Sequence, residues 1–263
     1  MERRDIECRK LKADLRTLCS PVGSSSQCSE TIGWFVLSSP NEGLNAAADI
    51  NFDSQVNAED LPGLRAICDE FNAKLVVDDS HGTGVMGPTG RGTHEHWGMD
   101  GSRIDLFTST LGKALGGGAG GYMAGSKAMT DLMIQRGRPT LFSNALPATI
   151  ACSADKAIEI LMREPERVAK LRENTAYARE GILDAGFEVL DSPTAILPII
   201  VHDTARAIAM SKRMLELGVF VIGFGYPVVP EGEARLRCQI SAAHEKSHLD
   251  AFIEKLRILK SEF

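Results

Sequence analysis

The chain has 263 residues, enough for one large or two modest domains, and its 43% hydrophobic and 24% charged residues are those of an ordinary globular protein. A formal net charge of -6 and a pI near 5.6 argue against nucleic acid or an anionic membrane as the main partner. No apolar run approaches the ~18 residues of a membrane span. Six cysteines, at 8, 19, 28, 68, 152 and 238, have neither metal-ligand spacing nor the density of a disulfide framework. Reduced thiols and a cytoplasmic location are expected, with the mitochondrial matrix as the eukaryotic alternative.

Taken in order, the chain begins with MERRDIECRKLKADLRTLCS. Glu2, Asp5, Glu7 and Asp14 count against a transit peptide, and a short amphipathic helix is the better reading. A polar loop is expected over 20–31, then one strand over Ile32–Leu37. No period is sustained from Asn41 to Asp53, so residues 1–56 are expected to be poorly ordered.

From Ala58 the pattern firms up. Leu61, Leu64, Ile67, Cys68 and Phe71 follow helical spacing, with Asp60 and Pro62 as entry signals. A buried strand follows at Leu75–Val77, then a loop from Gly82 to Arg103, and a second strand at Ile104–Ser109. A third strand is expected at Tyr122–Ala124 and a helix at Ser126–Gln135 capped by Ser126. RGRPTLFSNALPA, 136–148, reads as loop, and helices are expected at Ala148–Met162 and Pro165–Ala185. Beyond these lie strands within Glu188–Val201, a helix carrying Ala207, Met210, Met214 and Leu217, and a strand at Val219–Ile222. RLRCQIS puts Arg235, Arg237 and Gln239 on one strand face and Leu236, Cys238 and Ile240 on the other. A last helix spans about Lys246–Lys260. The expected class is α/β, with a mostly parallel sheet over residues 57–155 and a small α+β unit over 156–263.

Two stretches carry the chemistry. IDLFTSTLGKALGGGAGGY, 104–122, runs from a buried strand through hydroxyls to a single lysine, Lys113, and on into glycines. A lysine walled by small residues after a buried strand is expected to be desolvated and hence nucleophilic. Composition alone is equally compatible with a flexible glycine linker bearing a surface lysine. The second stretch, KLVVDDSHGTG, 74–84, ends a strand in two aspartates followed by Ser80 and His81. Ligands of open α/β sheets gather at the carboxyl ends of strands, so the two stretches are expected to share one crevice. A carboxylate for a pyridinium nitrogen and a Schiff-base lysine are the pair of groups pyridoxal phosphate enzymes need.

Two tempting motifs fail. GTGVMG, 82–87, has dinucleotide-binding glycines, but Pro88, Gly90 and Gly92 leave no helix N-terminus for a pyrophosphate. His94, Glu95 and His96 lack zinc spacing and read as a polar loop.

VVDDSHGTGVMGPTGRGTHEH, STLGKALGGGAGGY, RPTLFSNALPA and GFGYPVVPEGEARLRCQISAAH together resemble the α-oxoamine synthases, and within them the glycine C-acetyltransferases. The likeness starts at about Asn57. It implies a fold-type I pyridoxal phosphate transferase in which Lys113 is the Schiff-base lysine and Asp78 pairs with the pyridine nitrogen. His81 would bond the ring hydroxyl oxygen, and Thr110 the phosphate. Phe142 and Ser143 would reach the neighbouring subunit's cofactor in a homodimer, and Arg237 would hold the substrate carboxylate, with Arg235 as its competitor. The implied reaction condenses glycine with acetyl-CoA to 2-amino-3-oxobutyrate, reversibly, as in threonine breakdown. A sister enzyme taking a longer acyl-CoA and a non-catalytic subunit are the alternatives. Nothing upstream of Asn57 matches the family, so an unpaired sheet edge, a cofactor gripped from one side and weak affinity are expected.

Overall fold

The structure is a computed structural model that describes residues 34–37 (backbone alone), 60–70, 72–116 and 118–263. The expected amphipathic N-terminal helix, the polar loop at 20–31 and the aperiodic stretch 41–53 lie outside the described residues. The chain divides into two compact units. The first is Met1–Asp49, Gln55–Thr83 and Gly92–Ala157; the second is Ile50–Ser54, Gly84–Arg91 and Ile158–Phe263.

The first unit is built on a four-stranded sheet of order β1-β2-β3-β4: β1 (Trp34–Leu37), β2 (Lys74–Asp78), β3 (Leu106–Thr110) and β4 (Gly121–Gly125). The first three strands run parallel and β4 is antiparallel to β3. β1 pairs with β2 from Trp34 opposite Lys74 to Leu37 opposite Val77, within the stretch expected to hold a strand.

β2 is buried on both faces, which explains its unbroken apolar run. Leu75 and Val77 pack with Leu61 and Cys68 of helix α1 (Asp60–Glu70) and with Ile104. Val76, pointing the other way, meets Leu106 and Met129. Met129 belongs to α3 (Lys127–Arg136), whose Ser126 cap accepts from the Met129 N–H.

β3 begins at Leu106 rather than Ile104. Asp105 explains the shift: its carboxylate accepts from the Leu75 N–H at 2.9 Å and pairs with Arg65 and Lys74, each at 2.9 Å. A side chain used this way ties α1 to β2, just after the 3₁₀ turn Gly101–Arg103, which the Ile104 N–H closes on the Gly101 carbonyl. Two stretches expected to be loop contain single helical turns, α2 (Thr93–His96) and α4 (Arg138–Leu141). One turn is shorter than the window over which apolar periodicity shows.

Helix α5 (Ala148–Arg163) holds the division between the units. The second unit contains α6 (Glu166–Asp184), β5 (Ile196–His202), α7 (Thr204–Glu216), β6 (Ile222–Phe224), β7 (Ala234–Gln239) and α8 (Lys246–Glu262). Its antiparallel sheet has the order β5-β7-β6. Leu197, Ile199, Leu236 and Cys238 of this sheet pack with Ile182 of α6, Met210 and Met214 of α7, and Leu256 of α8. β6 starts three residues later than expected. The Val219 N–H still bonds the Met214 carbonyl across Gly218 at φ 87°, so residue 219 closes α7 instead of opening a strand.

Candidate active site

β2 and β3 run parallel with Asp78 opposite Thr108, so both strands deliver their carboxyl ends to the same rim of the sheet. His81 lies in the turn leaving β2, and Lys113 in the loop leaving β3. They meet: Lys113 Nζ is 3.0 Å from His81 Nε2 and 3.5 Å from Nδ1. An ammonium can only donate, so with Lys113 protonated Nε2 is the acceptor and the ring proton sits on Nδ1. The contact carries Lys113 to the turn that starts three residues earlier at Asp78. Lys113 itself is exposed. The small residues around it build no apolar wall, and the desolvated setting expected for it is not what this structure has.

The two aspartates do different work. Asp78 is half-buried, and both of its bonds fall on Oδ1, from the Ser80 N–H at 3.0 Å and the Ser80 hydroxyl at 2.5 Å. Asp79 is 2% exposed and turns into the protein. Its carboxylate accepts from the Thr93 N–H at 3.1 Å, the Thr93 hydroxyl and the Thr83 hydroxyl at 2.8 Å. Burial pushes its carboxyl above the ordinary value, and those bonds from Thr93 and Thr83 pull back against it. Glycine is required beside it: a Cβ at Gly92, where φ is 109°, would lie 1.7 Å from Asp79 Oδ2.

The hydroxyls at the carboxyl end of β3 and in the turn after β2 are bonded within the fold. Thr110 donates to the Gly120 carbonyl at 3.2 Å and accepts from the Gly112 N–H at 3.3 Å. Ser109, buried, donates to the Asp79 carbonyl at 3.3 Å. The Tyr122 hydroxyl reaches Thr83 Oγ1 at 3.4 Å. Several glycines of the run serve chain packing: a Cβ at Gly121 would meet the Ser109 carbonyl at 2.6 Å, and one at Gly120 would meet Leu146 at 2.7 Å.

Among the described residues, then, Lys113 and His81 come into contact, with Asp78 and Thr110 at the ends of adjacent strands. Phe142 and Ser143 are exposed on the segment after α4, Phe142 at 78%, with the Arg138 guanidinium 5.7 Å from its ring centroid. Arg237 lies in the second unit. There the two arginines differ in burial. Arg235 is 3% exposed and bonds the Glu233 carbonyl and carboxylate, so it does not share the open face expected of it. Arg237 is only half-buried, and its guanidinium lies 5.9 Å from the Phe224 ring centroid. Phe224 and the Asp79 grip escaped the sequence reading. The only trace of the grip is the repeated Gly-Thr at 82–83 and 92–93.

A mixed α/β sheet with a lysine, an imidazole and a carboxylate at its carboxyl rim defines an α/β enzyme-like class. The chain belongs to the aminotransferase class I and II family, which it matches over residues 54–256. It is 44% identical over 190 residues to 8-amino-7-oxononanoate synthase of Symbiobacterium thermophilum, covering 72% of this chain and 48% of that protein. It is 42% identical over 199 residues to the mitochondrial 2-amino-3-ketobutyrate coenzyme A ligase of Mus musculus, covering 74% and 47%. Both relatives are α-oxoamine synthases, the group its motifs resemble. A solved structure of serine palmitoyltransferase with its PLP internal aldimine superposes with a TM-score of 0.72 at 26% identity, covering 77% of this chain and 51% of that one. The fold is the α/β fold of the fold-type I transferases. The chain spans about half the length of the relatives it matches.

Proposed function

We propose that this chain works as a pyridoxal phosphate-dependent acyltransferase that joins glycine to acetyl-CoA, giving 2-amino-3-oxobutyrate and free coenzyme A. Family membership and the PLP-bound structural relatives indicate pyridoxal phosphate as the cofactor. The observation that carries the reading is the 3.0 Å contact between Lys113 and His81. It gathers at one rim the amine, imidazole and carboxylate that the family motif assigns to one cofactor.

The donor set fits the group. An amine suits its aldehyde, the half-buried Asp78 carboxylate its ring nitrogen, an imidazole its ring hydroxyl, and the Thr110 hydroxyl its phosphate once it exchanges the Gly120 carbonyl for that anion. When bound, the cofactor supplies a protonated ring that accepts the electron pair left at the amino-acid Cα. Asp78 Oδ holds the proton on the ring nitrogen. Lys113 Nζ would hold the cofactor through its aldehyde and would serve as the base for the glycine Cα proton. His81 Nε2, at hydrogen-bond distance from Lys113, orients that amine. Arg237 offers a planar two-pronged donor to the glycine carboxylate, which a lysine would not match. Phe142 and Ser143, exposed after α4, would serve a neighbouring copy's cofactor in a homodimer.

A second reading is favoured by one observation: the 44% identity to 8-amino-7-oxononanoate synthase equals or exceeds that to the coenzyme A ligases. It keeps the carbon–carbon bond-forming chemistry but takes a longer acyl-CoA, and the methyl beside the amino-bearing carbon in that relative's product calls for alanine in place of glycine. Release of coenzyme A thiol, followed with glycine or alanine and a series of acyl-CoA chain lengths, separates the two. Fastest release with acetyl-CoA is expected, with loss of about 10²–10⁴-fold in Lys113→Ala. Faster release with a longer chain would move the assignment to the sister activity. Release no faster than the uncatalysed background in wild type and Lys113→Ala alike would end both and leave the non-catalytic subunit.

A further inference from the structure

The grip on Asp79 lies outside the set of groups that would meet the cofactor, yet it holds the loop that presents one of them. The main chain of Asp79 is fixed first. Its N–H donates to the Thr108 carbonyl of β3 at 2.8 Å, and its carbonyl accepts from the Gly82 and Thr83 N–H groups at 3.1 and 2.9 Å and from the Ser109 hydroxyl at 3.3 Å. The turn closed by those bonds contains His81. The carboxylate then clamps the far end of the turn through the Thr83 hydroxyl, and the next element, α2, through the Thr93 N–H and hydroxyl. Thr83 in turn receives the Tyr122 hydroxyl from β4. One buried side chain thus connects β2, the His81 turn, the start of α2 and, through Thr83, β4. The fit is closed around it: a Cβ at Gly82 would lie 2.1 Å from Asp79 Oδ1 and one at Gly92 1.7 Å from Oδ2.

We propose that Asp79 is a positioning residue, whose hold on Thr83 and Thr93 fixes the turn that sets His81 against the Lys113 amine. The proposal rests on the reading of Lys113 and His81 as cofactor-facing groups, but its contact geometry is tested without cofactor. Asp79, its carboxylate held by Thr83 and Thr93, acts through the turn. Asn at this position is the conservative variant. Its carbonyl oxygen can still accept from Thr93, and its amide can donate to Thr83 Oγ1 after that hydroxyl rotates. Ala removes every acceptor and leaves buried donors without partners.

The test reads the ring signals of ¹⁵N-labelled histidines, with His81 assigned through His81→Asn. In the wild-type background, Lys113→Met is expected to move the His81 signals, because the amine at 3.0 Å is gone. In Asp79→Ala the same Lys113→Met change is expected to leave them still, and in Asp79→Asn to move them nearly as in wild type. A residue that merely stabilises the fold would not break this coupling in a folded variant. If Lys113→Met moves His81 equally in folded Asp79→Ala, the proposal is overturned. Should Asp79→Ala not fold, Thr83→Val decides: a coupling cut well below wild type supports the proposal, and a full one overturns it. Pyridoxal phosphate titration supplies the second readout, with binding weakened about tenfold in Asp79→Ala and recovered in Asp79→Asn. Wild-type chain that binds no pyridoxal phosphate while the coupling pattern holds would refute the cofactor reading and leave the positioning role standing.

Discussion

Arg235 and Arg237 stand two residues apart on β7 and would be indistinguishable by charge. Their neighbours separate them: Glu233 neutralises the buried Arg235, while the half-buried Arg237 lies against the Phe224 face. The proposed use of Arg237 for the glycine carboxylate makes Phe224 a determinant of affinity. Phe224→Ala removes a cation–π contact of about 0.5–1 kcal/mol, so KM for glycine is expected to rise about two- to fivefold with kcat nearly unchanged. Steady-state kinetics over a glycine series measures it; a fall in kcat at constant KM would put Phe224 in another role. At this scale the sequence was readable where a motif is contiguous. Asp78 and His81 sit three residues apart, and Thr110 and Lys113 likewise. The Asp79 grip was not readable, because its second anchor, Thr93, lies fourteen residues away and becomes a neighbour only when the loop folds back.

Among the elements, the joint between α1, β2 and β3 turns on Asp105. Burial, the largest single influence on its carboxyl, raises the value, but the Leu75 N–H, Lys74 and Arg65 together outweigh it and hold the carboxyl below 3.8. A folded value lower than the unfolded one contributes stability above the unfolded value, and that contribution is lost as pH falls through the folded one. Asp105→Asn should therefore cost about 1–3 kcal/mol at neutral pH, and its gap from wild type should close as pH drops below 3.8. Urea unfolding at both ends of that range checks it, and a gap independent of pH would contradict the ion pairs as the cause. Asp79, with its value raised, has the opposite sign: its contribution is greatest at low pH and fades as pH rises through the folded value. The same Asp105 explains why the start of β3 was misread at Ile104, since a β-branched residue before an aspartate looks like strand until the carboxylate is seen capping Leu75. The helix α7 was legible because Ala207, Met210 and Met214 keep an apolar stripe over about two turns, all of them essentially buried. β1 was visible as a strand but its pairing was not, because partner choice is non-local.

At the scale of the whole molecule, the two units have separate apolar clusters, one around Leu75 and Val77 and one around Leu197, Leu236 and Leu256. Both tryptophans, Trp34 and Trp97, fall in the first unit. Tryptophan fluorescence therefore follows that unit while far-UV circular dichroism reports both. Pyridoxal phosphate at a hundredfold excess over Kd should stabilise the fluorescence transition by about 2.7 kcal/mol. Equal stabilisation of a transition seen only by circular dichroism would place the ligand elsewhere.

The central claim is that one amine of this chain takes up the cofactor aldehyde. Incubation with pyridoxal phosphate, reduction with borohydride and peptide mapping by mass spectrometry test it directly. The account predicts a phosphopyridoxyl group on the peptide carrying Lys113, absent from Lys113→Ala and much reduced in Asp78→Ala. Label spread over surface lysines with Lys113 unmodified, or equal label in Lys113→Ala, would contradict it.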